Sequence, residues 1–120
     1  MLSPGAIVAA FCEAVSRKNI AAARTFLDDH LVFVGLFETY TNADSYIAAL
    51  TSLLSITKRY DVNKIVAEGE FAAVFFELET TEPAPAITLV AELHHVRNGK
   101  IMHVRSAFDG RPFAAMFGAA

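Results

Sequence analysis

The spacing of apolar residues changes once along this chain, near Lys58, from a helical period of 3.6 to the strand period of 2. That single switch limits the architecture more than any motif does. On the helical side, Ser3 and Pro4 form a start signal: a hydroxyl N-cap, then a proline at the first helical position, where its missing N–H costs nothing. Ile7, Ala10, Phe11, Ala14 and Val15 follow as one apolar stripe, with Glu13, Arg17 and Lys18 off it. Asn19 can cap a second helix through Ile20, Ala23, Phe26 and Leu27, which the turn-favouring Asp28 and Asp29 end. Leu31 to Phe37 reads as a short strand. Thr41 with Asp44 resembles a capping box for a third helix, whose stripe is Tyr46, Ala49, Leu50, Leu53 and Leu54.

Beyond Lys58, segments near 58–68, 70–80, 86–97 and 100–108 are rich in Val, Ile, Phe and Thr and predict four strands in series. Glu68-Gly69-Glu70, Pro83-Ala84-Pro85 and Asn98-Gly99 mark the turns between them, so the strands form an antiparallel meander. Helices first and strands after, rather than alternating, give an α+β fold with helices packed on one face of a curved sheet. The 120 residues suit a single domain spanning 1–120.

Composition narrows the function classes. Charged residues are 19% of the chain, below the roughly 25% usual for soluble proteins, and ten phenylalanines are a large apolar supply at this length. Some of that surface needs a pocket or a partner. The longest apolar run, Ala6 to Cys12, is too short to cross a membrane, and no basic segment precedes it as in a secretion signal. A lone cysteine, no CxxC and no glycosylation sequon suit a reducing compartment, so the expected location is the cytoplasm. A net charge of −3 without a Lys/Arg cluster argues against nucleic acid as partner. There is no Gly-rich phosphate loop, nucleophile elbow or HExxH helix, and no cofactor is implied.

This element order accompanies four stretches: Phe11-Cys12-Glu13-Ala14-Val15, Ala22 to Asp29, Val96-Arg97-Asn98-Gly99-Lys100-Ile101, and Phe108-Asp109-Gly110-Arg111-Pro112-Phe113. Together they resemble the nuclear transport factor 2-like superfamily in its SnoaL-like branch. The resemblance implies a cone, a curved sheet wrapped around three helices with a cavity inside, and often a homodimer. It spans isomerases, epoxide hydrolases, cyclases and dehydratases, so it does not name the reaction. Most catalytic positions of those relatives are lost here. The base and the two oxyanion-hole groups of the steroid isomerases fall at Val34, Phe11 and Glu92, and only Glu92 keeps an acid. The water-holding pair of the epoxide hydrolases falls at Val32 and Val34, and their charged triad at Glu77, Glu79 and Ser106. The polyketide cyclase acid also falls near Ser106.

Glu92 is therefore the leading catalytic candidate, since a carboxyl group in an apolar cone has its charged form disfavoured and can act as acid or base near neutrality. Strand register decides its direction. A three-residue loop at 97–99 pairs Glu92 with Val104 and His94 with Met102, on a cavity wall shared with Ser106 and Phe108. A two-residue Asn98-Gly99 turn instead sets Glu92 against Arg105 and His94 against His103, on the outside. His94 is the second catalytic candidate. His94 and His95 point to opposite faces and cannot share a metal, and no third ligand accompanies His94 and His103, so no metal site is expected. Phe11, Val34, Tyr46, Phe75, Glu77, Glu79, Val104, Ser106 and Phe108 complete the expected pocket. His30 reads as an exposed helix end, and Cys12 as a small buried hydrophobe. The expected ligand is a small apolar molecule undergoing isomerisation, cyclisation or dehydration. The alternatives are a non-catalytic ligand-binding or interaction module of the same fold, whose outer sheet face, with Leu93, His95, Ile101 and His103, pairs with a second subunit or a partner, and a protein whose phenylalanines pack the cavity shut.

Overall fold

The computed structural model describes residues 2–117. Helix α1 (Pro4–Ser16) starts where expected: Ser3 accepts a hydrogen bond from the Ala6 amide at 3.2 Å, and Pro4 occupies the first turn. Helix α2 (Ile20–Arg24) is capped by Asn19 but is only five residues long, because Thr25 turns its hydroxyl back onto the Ala22 carbonyl. Strand β1 (Leu27–Val34) thus begins before Leu31 and ends before Phe37. Asp28 does not stop the chain; its carboxylate accepts the His30 amide within a register shift between Leu27 and Val32. His30 is accordingly an exposed strand residue rather than a helix end. A two-residue strand β2 (Thr39–Tyr40) follows, then helix α3 (Ala43–Ser55). The cap of α3 is Asn42, which accepts from the Ser45 amide at 2.8 Å, rather than Thr41.

The four later strands are β3 (Thr57–Glu68), β4 (Phe71–Thr80), β5 (Ala86–Arg97) and β6 (Lys100–Ala107), paired antiparallel in chain order. Strand β1 returns beside β6 in parallel, a pairing the meander does not foretell, giving a curved, open six-stranded sheet ordered β2-β1-β6-β5-β4-β3. Residues Arg111–Phe117 form a closing 3₁₀ segment. The inner face carries Val74, Phe76, Val90, Val96 and Val104 against Val8, Phe11 and Val15 of α1 and Tyr46, Leu50 and Leu54 of α3. Each such fully buried side chain contributes about 1.5–3 kcal/mol over an exposed one.

On β4 the buried set is Ala72, Val74, Phe76, Leu78 and Thr80. This corrects the expected inward face: Phe75, Glu77 and Glu79 point outward, where Arg59 meets both carboxylates. The even-numbered face is free of charge, whereas the odd-numbered one would bury two carboxylates, a far costlier choice.

The β5–β6 hairpin matches neither simple register. Asn98 (φ 53°) and Gly99 (φ 75°) both have positive φ, as a two-residue type I′ turn requires, and Arg97 pairs with Lys100. One step later Met102 is left over as a bulge, since Val96 pairs with Ile101 and His95 with His103. From there Glu92 faces Ser106 and His94 faces Val104. The bulge also draws Ile101 into the core, fully buried, which corrects its expected place on the outer face. Deleting Met102 should leave these pairs in an unbroken ladder and cost no more than ~2 kcal/mol. Deleting Arg105 should turn Ser106 and Phe108 to the outer face and abolish cooperative unfolding, as checked by thermal melts of both variants.

Candidate active site

Between the helices and the sheet lies a cavity of about 400 Å³. Its floor is Phe11 and Val15 of α1, with Tyr60, Phe76 and Val90 from three neighbouring strands. Along one side runs α3, through Tyr46, Leu50 and Leu54. The residue 35–38 loop and the 3₁₀ segment supply the rim, where Leu36 and Met116 are 51% and 44% exposed, so the cavity opens there. Gly110 lets those two segments touch, because a Cβ at this position would overlap the Leu36 and Phe37 side chains. Phe113 folds inward against Phe108, edge to face at 5.9 Å.

Of the residues expected to line the pocket, Phe11, Tyr46, Ser106, Phe108 and Glu92 are brought together here. Val104 lies on the inner face but is sealed in the core, and His94 lies behind Glu92 with no exposed surface. Val34 is displaced from the lining; its neighbour Phe33 takes that role and stacks on Tyr46 at 4.5 Å. Phe75, Glu77 and Glu79 are on the other side of the sheet. Residues missed at the sequence level include Tyr60, Thr88, Phe33 and Phe113. The alternation Tyr60, Val62 on β3 carried a signal for the first; nothing local marked the rim.

Glu92 is the deep charged group. Its side chain is 10% exposed, and among the described residues its carboxylate accepts no hydrogen bond. His94 Nε2 lies 3.4 Å from Glu92 Oε1, off the line of a hydrogen bond, and neither ring nitrogen of His94 has another partner. The Phe11 ring closes the far side of His94 at 6.2 Å. Three phenols line the same cavity. Tyr40 is hydrogen-bonded to Glu38 near the rim, Tyr60 donates to Cys12 Sγ at 3.6 Å, and the Tyr46 hydroxyl has no partner among the described residues. Burial first, then the charge of Glu92, holds Tyr46 far above the usual phenol range; burial does the same for Tyr60. Burial also pushes the Cys12 thiol up to about 12, the Tyr60 hydrogen bond opposing weakly. No group of three or more potential metal ligands occurs among the described residues.

Against known proteins, residues 8–104 match the SnoaL-like domain family. The chain belongs to that family. Among solved structures, this SnoaL-like domain resembles a nuclear transport factor 2-like protein of unknown function from Cytophaga hutchinsonii, with a TM-score of 0.82, 20% identity and coverage of 93% of this chain and 95% of that one. It also resembles a protein assigned as a SnoaL-like polyketide cyclase from Shewanella putrefaciens, with a TM-score of 0.77, 12% identity and coverage of 98% and 87%. A third neighbour is an epoxide hydrolase of M. tuberculosis similar to the limonene enzyme, with a TM-score of 0.75, 20% identity and coverage of 88% and 82%. These likenesses show the shared cystatin-like cone. Among curated proteins, none matches the chain significantly.

The thiol gives a direct check on the closed side of the cavity. Because the folded state holds the Cys12 proton more tightly than the unfolded chain, whose thiol titrates near 9.0, its contribution to stability is complete below pH 9. It is lost by about 1.4 kcal/mol per pH unit as pH rises toward 12. Tyr46 and Tyr60 add the same sign above pH 10. Urea midpoints should therefore fall between pH 9 and 10 in the native sequence and stay level in Cys12→Ala. A thiol-specific dye at pH 8 should label Cys12 only in denaturant.

Proposed function

We propose that this SnoaL-like domain binds a small, largely apolar molecule in its cavity and exchanges a proton with it through Glu92, in a reaction of the isomerase, cyclase or dehydratase type. The observation that carries this reading is one carboxyl group, without a hydrogen bond, at the deep end of a largely apolar and aromatic cavity. Placed there, it is the deep polar group of the lining that can give a proton to a bound molecule or take one from it. His94 is sealed behind it, with Nε2 3.4 Å from one carboxylate oxygen and out of line for a hydrogen bond. Ser106, opposite Glu92 on β6, adds a hydroxyl. No cofactor is required for such chemistry. The missing water holders at Val32 and Val34 weigh against epoxide opening.

The test is deuterium uptake from heavy water into apolar cyclic ketones with and without a basic nitrogen, indanone and tropinone among them, followed by NMR. Native protein should catalyse exchange next to the carbonyl. Glu92→Gln should be slower by about 100-fold or more at an unchanged melting temperature. Equal rates in both proteins, or none in either, would remove the proton-transfer assignment.

A second observation supports pairing between copies. The outer sheet face exposes Val66, Phe71, Phe75, Ile87, Leu89 and Leu93 on the adjacent strands β3, β4 and β5, large apolar side chains of the kind that mark contact surfaces. We read this face, rather than Ile101, as the contact of a homodimer in the cytoplasm. Phe75→Asp should convert a dimer to a monomer in sedimentation equilibrium without unfolding it. A monomeric native protein would remove this reading.

A further inference from the structure

The lining of the cavity has a charge pattern that the proton-transfer reading does not use. Among the described residues that form it, the charged side chains are Glu92 at depth and Glu38 at the rim; no lysine, arginine or histidine is among them. Nine of the lining residues are aromatic. Around Glu92 itself stand Tyr46 and Tyr60, close enough for its charge to raise both phenols, with Phe11 beside His94. An anion in this space would meet carboxylates and the negative faces of aromatic rings, with no cation to receive it. A buried carboxylate without a partner is costly, and the nearest basic group, His94 Nε2, is out of line for a hydrogen bond. What the site lacks is a cationic donor brought from outside.

We propose that the ligand is a lipophilic amine, bound as its ammonium ion, with the nitrogen between the Glu92 carboxylate and the unpartnered Tyr46 hydroxyl oxygen and the apolar body along Leu50, Leu54 and Val90. Three features converge on that position. The carboxylate supplies the counter-charge. The Tyr46 hydroxyl, on a residue 6% exposed and pinned by stacking on Phe33, supplies a second acceptor. The surrounding rings attract a desolvated cation through their quadrupoles. The chemistry balances without a further reactant. The ammonium ion arrives with its proton and pairs with the Glu92 carboxylate, and a proton passed from nitrogen to oxygen leaves a neutral amine and a carboxylic acid, so charge and protons are conserved. The protons within reach of Glu92 are then those on the nitrogen or on the carbons next to it.

This inference rests on the cavity being a ligand site, so the experiment separates the two. Adamantylammonium, adamantanol and adamantane carboxylate share one apolar body and differ in charge; each is titrated calorimetrically into the full chain at pH 7. The ammonium should bind at least about tenfold more tightly than the alcohol, and the carboxylate should not bind. Glu92→Gln should remove the advantage of the ammonium while leaving the alcohol's affinity within about twofold, which a merely misfolded variant could not do. Alcohol binding as tight as ammonium binding, or an ammonium preference that survives Glu92→Gln, overturns the amine assignment and leaves the cavity as a ligand site. Binding of none of the three overturns both.

Discussion

One surplus residue in β6 decides what the cavity contains. A type I′ turn fixes the hairpin end so tightly that an unbroken ladder would set Arg105 and His103 opposite Glu92 and His94, in place of Ser106 and Val104. Met102 absorbs a single step, and every inward position beyond it on β6, Val104 and Ser106 among them, follows. The turn residues Asn98 and Gly99 and the β6 residues that face Glu92 are thus parts of one geometric problem, although five residues separate Glu92 from the turn. The buried Ile101 on one side of the bulge and the half-buried His103 on the other show that the offset is anchored by packing as well as by hydrogen bonds.

Within the cavity, burial and charge act in one direction. The buried phenols Tyr46 and Tyr60 and the Cys12 thiol around Glu92 are all held in their protonated, neutral forms, so none of them offers it a counter-charge. The protein tolerates that group, and the unpartnered imidazole behind it, at a cost of about 1–3 kcal/mol for each unsatisfied polar atom. A chain built for stability alone would place leucine at both positions. That cost is what the proposed ligand would offset by completing the bonding of the carboxylate.

Much of the architecture was legible because it depends on periodicity. The helix starts at Ser3 and Asn19, the order of helices before strands, and the turns at Gly69 and Asn98-Gly99 were all readable from local residue chemistry. So was membership in the SnoaL-like group, from order and spacing together. Misreadings came where a long-range contact outweighed the local signal. Asp28 and Asp29 look like a stop, yet parallel pairing with β6 carries β1 through them. Phe75 looks as apolar as Phe76, and only the charges two and four residues further along tell the faces apart. The bulge at Met102 has no local mark at all, which is why neither register written from the sequence was right while Glu92 still reached the interior. Val34 was carried over from relatives by position, and a shift in β1 put Phe33 there instead.

The rim is made from two segments more than 70 residues apart in sequence, the 35–38 loop and the 3₁₀ turn, clasped at Gly110. Neither belongs to the ladder that sets the position of Glu92, so the doorway of the cavity and the carboxyl group inside it are set by separate parts of the chain. Substitutions at the rim can resize the doorway without disturbing the acid, and a change at Gly110 alone forces both halves of the doorway to move together. In a lineage that keeps one scaffold and many reactions, this separation lets the guest list change faster than the machinery that receives it.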